Sequence, residues 1–132
     1  MAREKKVVDA AVIAKWFLNE EDSSKAVQLR DDHIAGKVLL IAPDLVFIEV
    51  MNTLRCKMKD KNGLHEANKA LWDAQLKVEK ISEFLLEKAL DIALKHELTI
   101  YDGIYAATAS IFGVPLVTTD KQLLKVPNAE ML

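Results

Sequence analysis

Short apolar runs alternate with helical patterns along this chain, and that alternation limits the folds that the chain can adopt. The runs lie within residues 5–8, 38–41 and 115–118, and none shows the strict polar–apolar alternation of a half-exposed strand. Between them, apolar side chains recur at helical spacing, most clearly over residues 85–95. Short apolar strands joined by helices are typical of a parallel sheet that is covered on both faces. The sequence therefore predicts an α/β fold.

Capping residues and helix breakers predict where the elements begin and end. Ser23 is interpreted as a helix N-cap and Gly36 as the end of that helix. The Asn62-Gly63 pair predicts a turn, and Asp120 is interpreted as the cap of a short final helix. The other predicted elements are helices over residues 11–18, 45–59, 65–76, 85–95 and 101–112, a short strand over 78–81, an extended link over 98–100 and the final helix over 121–124.

The length and composition fit one folded domain over residues 1–132. A chain of 132 residues leaves little room for a second domain. Hydrophobic residues make up 51% of the chain, which is enough for a full core without covalent staples. The single Cys56 excludes an intramolecular disulfide and a cysteine-based zinc cage.

The charge balance and the apolar runs narrow the functional classes. Eighteen basic and 20 acidic side chains give a formal charge of −2, which argues against a protein that coats nucleic acid by bulk electrostatics. The same balance is compatible with an enzyme that binds phosphates through a bound metal. The longest apolar run, residues 38–50, is broken by Pro43-Asp44 and Glu49, so it cannot supply the ~20 apolar residues of a membrane span. We expect no signal peptide, no membrane contact and a reducing, cytoplasmic setting.

Two acidic residues directly follow predicted strands. Asp9 follows the first strand and Asp120 follows the last. The carboxyl ends of parallel strands lie at one edge of the sheet, where α/β proteins bind ligands, so these carboxylates are expected to approach each other. Two bare carboxylates held close together repel, and a divalent cation relieves that repulsion. Oxygen ligands of this kind suit Mg²⁺ or Mn²⁺.

Two further acids are candidates for the same site. Glu49 interrupts an apolar helical run, and burying a carboxylate without a partner is costly. Asp102 opens a helix of small residues. Each acid also has a plain structural interpretation: Asp102 and Asp120 as N-caps, Asp9 as a turn residue after a strand, and Glu49 as a solvated helix residue. The set of four is more informative than any one of them.

Four segments, in order and well spaced, resemble the motifs of PIN-domain proteins. The similarity extends from about residue 6 to residue 126, and the nearest subgroup is the short prokaryotic members similar to VapC toxins. The four segments are Val7-Val8-Asp9-Ala10-Ala11-Val12 with the following Lys15-Trp16-Phe17-Leu18, Pro43-Asp44 with the following Glu49-Val50-Met51-Asn52-Thr53-Leu54-Arg55, Leu98-Thr99-Ile100-Tyr101-Asp102-Gly103-Ile104-Tyr105, and Leu116-Val117-Thr118-Thr119-Asp120.

This resemblance implies a fold, an activity and partners. The fold would be a three-layer α/β/α sandwich with a mainly parallel central sheet. The activity would be that of an endoribonuclease dependent on Mg²⁺ or Mn²⁺, acting as the toxin of a VapBC-type toxin–antitoxin pair. The expected partners are an RNA substrate, a small antitoxin and a second copy of the chain in a homodimer. The implied metal ligands and catalytic residues are Asp9, Glu49, Asp102 and Asp120, with Thr118 where the family often has Ser or Thr near the site.

The chain departs from the family pattern at one position, and its residues also allow other functional interpretations. Ala11 stands where the family often has Ser, which removes a hydroxyl from the expected site. An aspartyl-phosphate phosphotransfer domain is disfavoured, because it would need a second Asp at this same position or an acidic pair after the first strand. A catalytically silent PIN-like module that binds RNA or a protein remains an alternative. Candidate phosphate contacts are Arg55, Lys15 and Lys121. Tyr101 and Tyr105 are candidates for base stacking, although core packing is favoured for Tyr105.

Overall fold

The computed structural model describes residues 3–132, and five strands alternate with six helices along this part of the chain. The strands are β1 (Glu4–Val8), β2 (Val38–Pro43), β3 (Lys77–Glu79), β4 (Leu116–Thr118) and β5 (Ala129–Met131). The helices are α1 (Ala10–Ala14), α2 (Ser23–Ile34), α3 (Leu45–Lys57), α4 (Lys61–Asp73), α5 (Glu83–His96) and α6 (Ile100–Phe112), followed by a single 3₁₀ turn at Leu123–Lys125.

The strands form one sheet in the order β3-β2-β1-β4-β5, and every pairing is parallel. In the register of the sheet, Val7 of β1 lies beside Ile41 on one side and Leu116 on the other. The chain moves outward from β1 to β2 and β3, then returns to β4 on the other side of β1. The strand order therefore reverses between the neighbouring strands β1 and β4, and ligands bind at such a point in sheets of this class.

Helices cover both faces of the sheet. Crossovers between parallel strands are right-handed. Helices α1–α4 belong to the crossovers from β1 to β2 and from β2 to β3, whereas α5 and α6 belong to the crossover that returns to β4. The two groups of helices therefore lie on opposite faces of the sheet. The observed packing agrees, because α1 contacts α3, α3 contacts α4, and α5 packs along α6. The predicted three-layer α/β/α sandwich with a parallel central sheet is confirmed.

The core consists of the inner strands and the helix faces that pack on them. Val7 and Val8 of β1 and Leu40 and Ile41 of β2 are all fully buried. This burial explains why the strands read as apolar runs, since both of their faces are covered. Within residues 3–132, the structure contains no helix whose length and hydropathy would suit a transmembrane span.

One predicted helix cap and one predicted turn are wrong. Ser23 does not cap α2, because Asp22 occupies the N-cap position in a left-handed conformation with φ of 66°. The Ser23 hydroxyl instead donates to the Leu18 carbonyl and accepts from the Glu20 N–H. The Asn62-Gly63 pair lies inside the first turn of α4, because the Asp60 side chain accepts from the Asn62 N–H and caps the helix two residues earlier. The first turn tolerates such residues because its N–H groups have no helical partner.

Other boundaries differ by a few residues. The first helix ends at Ala14 rather than Leu18, and the strand predicted over 78–81 is Lys77–Glu79. The predicted link over 98–100 already contains the start of α6. The predicted final helix over 121–124 is only a 3₁₀ turn displaced toward the C-terminus. The strand β5 was not predicted, because it is short and largely exposed and lacks the apolar run of a central strand.

His33 joins three elements through its buried ring. Its Nδ1 accepts from the Leu40 N–H of β2 at 3.1 Å, and its Nε2 lies 2.8 Å from the carbonyl oxygen of Ala74 at the end of α4. We expect His33→Ala to lower the free energy of unfolding by about 2 kcal/mol, because both backbone groups lose a buried partner. Urea unfolding measures this effect, with the exposed His65→Ala as the matched control. Equal midpoints for the two variants would contradict the bridging role.

Candidate functional site

A cleft of about 370 Å³ opens at the carboxyl ends of β1 and β4, at the point where the strand order reverses. All four acids identified from the sequence line it, although they come from separate segments of the chain. The acids are Asp9, Glu49, Asp102 and Asp120, and the other lining residues include Ala11, Lys15, Glu20, Thr53, Lys57, Tyr105 and Thr119.

Asp9 lies at the bottom of the cleft and is almost completely buried, with 4% of its surface exposed. It is the N-cap of α1, and its Oδ1 accepts from the Val12 N–H at 3.0 Å. Its Oδ2 accepts from the Thr118 hydroxyl. Burial raises the pKa of Asp9 from 3.8 to about 6, although these two hydrogen bonds oppose the rise, and the charges of Asp120 and Asp102 add to it. Asp9 is thus both a structural cap and a carboxylate that a cation would stabilise.

Thr118 connects the two strand ends. Its side chain is fully buried at the last position of β4. Its hydroxyl donates to Asp9 and accepts from the Asp120 N–H at 2.9 Å. This double contact fixes the Asp9 carboxylate relative to the backbone that carries Asp120.

Replacing Thr118 tests this connection. We expect Thr118→Val to lower the free energy of unfolding by about 2 kcal/mol, because the buried Asp9 carboxylate and the partly buried Asp120 N–H both lose their partner. Thr118→Ser keeps the hydroxyl and should retain more of that stability than the valine variant. Thermal and urea unfolding of the two variants measure the difference, and a valine variant as stable as wild type would contradict the inferred role.

Glu49 of α3 and Tyr105 of α6 lie next to each other in the wall of the cleft. Burial raises the pKa of Glu49, the nearby Tyr105 hydroxyl partly opposes that rise, and the charge of Asp102 adds to it. Burial also raises the pKa of Tyr105, and the charge of Glu49 adds to the effect. Glu49 Oε1 and the Tyr105 hydroxyl are both buried, yet neither makes a well-formed hydrogen bond within residues 3–132. Core packing of Tyr105 is confirmed, and its hydroxyl is directed toward the acids.

Asp102 lies in the first turn of α6 and is not the cap of that helix. Thr99 has that role, since its hydroxyl oxygen accepts from the Asp102 N–H at 3.1 Å. The Asp102 side chain therefore does not cap the helix, and it lines the cleft. Burial raises the pKa of Asp102, and the charge of Asp120 adds to the rise.

Gly103 fixes the position of this part of α6. A Cβ at this residue would lie 2.6 Å from the Ala89 carbonyl oxygen of α5, which is backbone and cannot rotate away. We expect Gly103→Ala to cost about 2 kcal/mol of stability, because α5 and α6 must separate. Gly63→Ala in α4 is the matched control, since a Cβ there meets only the ends of the Asp60 and Met58 side chains. Thermal unfolding compares the two, and equal melting temperatures would show that the helices accommodate the methyl group.

Asp120 follows β4 and lies opposite Asp9. Its Oδ1 accepts from the Gln122 N–H at 2.9 Å, which stabilises the turn before the 3₁₀ segment. Its charge raises the pKa values of both Asp9 and Asp102. The sequence-based expectation that these distant carboxylates meet at one edge of the sheet is therefore consistent with their mutual electrostatic effects.

The chemistry of this cleft fits a hard divalent cation. Carboxylate oxygens are the ligands that Mg²⁺ and Mn²⁺ prefer. Glu49 Oε1 is a buried acceptor that has no hydrogen-bond partner in the described part of the chain. Within residues 3–132, no three acidic, histidine or cysteine side chains converge closely enough to surround one ion as they stand. Mg²⁺ is usually held by one or two carboxylates and keeps several waters. The residues fit that open arrangement better than a closed cage of four carboxylates.

Several residues that line the cleft were not predicted from the sequence. Thr53 and Lys57 lie four and eight positions after Glu49, so all three occupy one face of α3. That spacing was visible in the sequence, whereas the position of Glu20 in the loop after α1 was not. Of the candidate phosphate contacts, Lys15 lines the cleft, while Arg55 and Lys121 are exposed and are not among its lining residues. Ala11 lines the cleft as well, so the hydroxyl missing relative to the family pattern is missing at this site.

Comparison with known proteins places this geometry in a family. The family model described as "PIN domain" matches residues 6–129. Ribonuclease VapC3 of Pyrobaculum aerophilum is 35% identical over 127 residues, which cover 90% of this chain and 92% of that protein.

Solved structures share the fold at lower sequence identity. VapC20 of Mycobacterium tuberculosis, described as a sarcin-ricin loop cleaving toxin, has a TM-score of 0.74 at 16% identity, with 93% of this chain and 95% of that chain covered. VapBC2 of Rickettsia felis, solved with a DNA fragment from its promoter, has a TM-score of 0.67 at 16% identity, with 97% and 98% covered. With a family match over most of its length and the four expected acids in one cleft, this chain belongs to the PIN-domain family.

Proposed function

We propose that this chain is a divalent-metal-dependent endoribonuclease and the toxin of a VapBC-type toxin–antitoxin pair. The observation that carries the proposal is the gathering of Asp9, Glu49, Asp102 and Asp120 into one cleft at the strand-order reversal. Three of the four have raised pKa values, which burial causes first and the neighbouring acids reinforce. A set of carboxylates that repel one another favours a site that works with a bound cation.

These four carboxylates are the residues that would hold Mg²⁺ or Mn²⁺. When bound, such an ion lowers the pKa of water and stabilises negative charge on a phosphate. Asp9 is kept in position by the Val12 N–H and the Thr118 hydroxyl, so its carboxylate needs little reorganisation. Glu49 brings an unpartnered buried oxygen to the same cleft, with the Tyr105 hydroxyl beside it. The close packing of Gly103 against Ala89 of α5 keeps the part of α6 that carries Asp102 and Tyr105 in position.

RNA as the substrate and a small antitoxin as the partner follow from the relatives. The name of VapC3 describes a ribonuclease, and the Rickettsia felis structure is a VapBC2 assembly. Exposed large apolar side chains, including Ile48, Trp72 and Leu94, give this chain surface area for an antitoxin or for a second copy in a homodimer. An exposed free Cys56 suits the reducing cytoplasmic setting that we propose.

Cleavage of RNA by the purified chain tests the proposed activity. Total tRNA and ribosomal RNA are incubated with the protein in Mg²⁺ or Mn²⁺, and the fragments are separated on a denaturing gel. Discrete fragments that disappear with EDTA and return with added Mn²⁺ are the expected result. Cleavage that persists in excess EDTA would refute metal dependence. Calorimetric binding of Mn²⁺ without any cleavage would instead favour a catalytically silent PIN-like module.

A further inference from the structure

Two lysines and one glutamate form an ion-paired group at the side of the acidic cleft. Lys57 Nζ lies 2.7 Å from Glu20 Oε2, and Lys15 Nζ lies 3.6 Å from Glu20 Oε1. Lys15 Nζ also donates to the Glu21 carbonyl oxygen at 2.9 Å. The Lys15 side chain is only 14% exposed, whereas that of Lys57 is 49% exposed. Glu20 therefore holds two ammonium groups in fixed positions, one of them nearly buried.

The ion-paired group belongs to the same cleft as the four acids, but it lies to one side of them. Lys57 is the last residue of α3, on the helix face that carries Glu49 and Thr53. Eight residues of α-helix span about 12 Å along the axis. The backbone of Lys57 therefore lies about two helical turns beyond that of Glu49, at the end of α3. A lysine at this end of the cleft is placed for a phosphate beside the one held among the four acids.

The charged side chains that line the cleft indicate a function for these two lysines. Five carboxylates line the cleft, namely Asp9, Glu20, Glu49, Asp102 and Asp120, and Lys15 and Lys57 are the lysines that line it among the described residues. Apart from a cation held by the four acids, those two side chains are the positive charges that line the cleft among the described residues, so a polyanion that enters it is attracted there. A partly exposed ion pair contributes only about 0–1 kcal/mol to stability, so stability alone is a weak reason for the arrangement. The pKa of Glu20 is lowered, chiefly by the hydrogen bond from Lys57, so it remains ionised and holds both lysines.

We propose that Lys15 and Lys57 form a phosphate-binding subsite for the RNA backbone beside the position of cleavage, and that Glu20 is the positioning residue that holds both lysines until a phosphate takes its place. This inference rests on the proposed ribonuclease function. It adds the path of the substrate, since the RNA strand runs from the four acids toward the end of α3. Contacts of this kind go to the backbone and are independent of base sequence.

The salt dependence of RNA binding tests the subsite separately from cleavage. The probe is a fluorescently labelled single-stranded RNA of mixed sequence, and its anisotropy is titrated in EDTA between about 50 and 200 mM salt, because each phosphate contact in a single strand contributes about 0.7 to the salt slope. We expect Lys15→Ala and Lys57→Ala each to lower the slope by that amount and to weaken binding about threefold. Lys57→Arg should restore the slope, since it keeps the charge. Glu20→Gln should tighten binding, because the lysines lose their competing carboxylate.

Lys69→Ala is the matched control, because Lys69 makes a similar ion pair with Asp73 at 2.9 Å but does not line the cleft. It should leave both the affinity and the slope unchanged. Wild-type slopes in both lysine-to-alanine variants, or no salt-dependent binding by the wild type, would overturn the subsite. Melting temperatures of all variants exclude unfolding as the cause of a change. A subsite failure with intact metal-dependent tRNA cleavage leaves the proposed function standing, whereas loss of cleavage in the wild type would remove the function itself.

Discussion

Asp9→Asn is expected to lower metal-dependent RNA cleavage by about a thousandfold, an effect comparable with the loss of a preorganised electrostatic group in other active sites. The substitution keeps the shape of the side chain and an oxygen that can accept from Val12 or Thr118. It removes the most deeply buried negative charge of the cleft. Single-turnover cleavage of tRNA in Mn²⁺ measures the rate, and calorimetry measures Mn²⁺ binding to the same variant.

Asp60→Asn is the matched control for this prediction. Asp60 is also the N-cap of a helix, and it accepts from the Asn62 N–H, but it lies outside the cleft. The control should cleave RNA at the wild-type rate and bind Mn²⁺ with wild-type affinity. If Asp9→Asn also cleaves at the wild-type rate, the four acids are not the catalytic site.

Added Mn²⁺ is expected to raise the melting temperature strongly at pH 8 and only slightly at pH 5. Burial raises the pKa of Asp9 from 3.8 to about 6 in the folded chain. The folded state therefore holds the Asp9 proton more tightly than the unfolded state does. This group has no effect well below pH 4, where both states are protonated, and it removes stability as the pH rises from about 4 to about 6, above which the loss is constant. The loss is about 3 kcal/mol, of order 10 °C in melting temperature for a domain of this size.

A cation at pH 8 stabilises the ionised carboxylates and recovers much of that loss, whereas at pH 5 it must first displace a proton. Burial also raises the pKa values of Glu49 and Asp102, so these groups act in the same direction. Differential scanning fluorimetry at the two pH values, with EDTA or Mn²⁺, measures the effect. In Asp9→Asn the part due to Asp9 should vanish. A Mn²⁺ shift of the same size at both pH values would show that ionisation of these buried acids does not govern metal binding.

Much of the fold followed from the residues themselves. The apolar runs at the centres of β1, β2 and β4 marked strands covered on both faces, and the helical spacing in α5 marked a one-sided helix. Short and exposed elements were harder to predict. The strand β5 has no apolar run, and its position depends on hydrogen bonds to β4 rather than on its own side chains. The Asn-Gly pair of α4 favoured a turn locally, but the cap from Asp60 stabilised a helix there.

The candidate site, like the fold, could be predicted from the sequence only in part. The sequence alone indicated Asp9 and Asp120, because a carboxylate directly after an apolar strand is visible without coordinates. It also indicated Glu49 within an apolar run and Asp102 at a helix start, although their common location rested on family resemblance. The sequence could not show that Thr99 takes over the cap of α6 and leaves the Asp102 side chain free to line the cleft. That exchange depends on one hydrogen bond within a single turn.

The sequence by itself determined the kind of structure and the kind of chemistry: a parallel sheet between helices, with acids at strand ends. Only the tertiary structure decided which side chains share the cleft and what their environment does to them. The raised pKa of Asp9 arises from burial, and that burial requires β4, which pairs with β1 from more than a hundred residues away. The Glu20 ion pairs likewise join a loop to the end of α3. Periodicity and capping act over a few neighbouring residues, whereas burial and electrostatics depend on residues that only folding brings together.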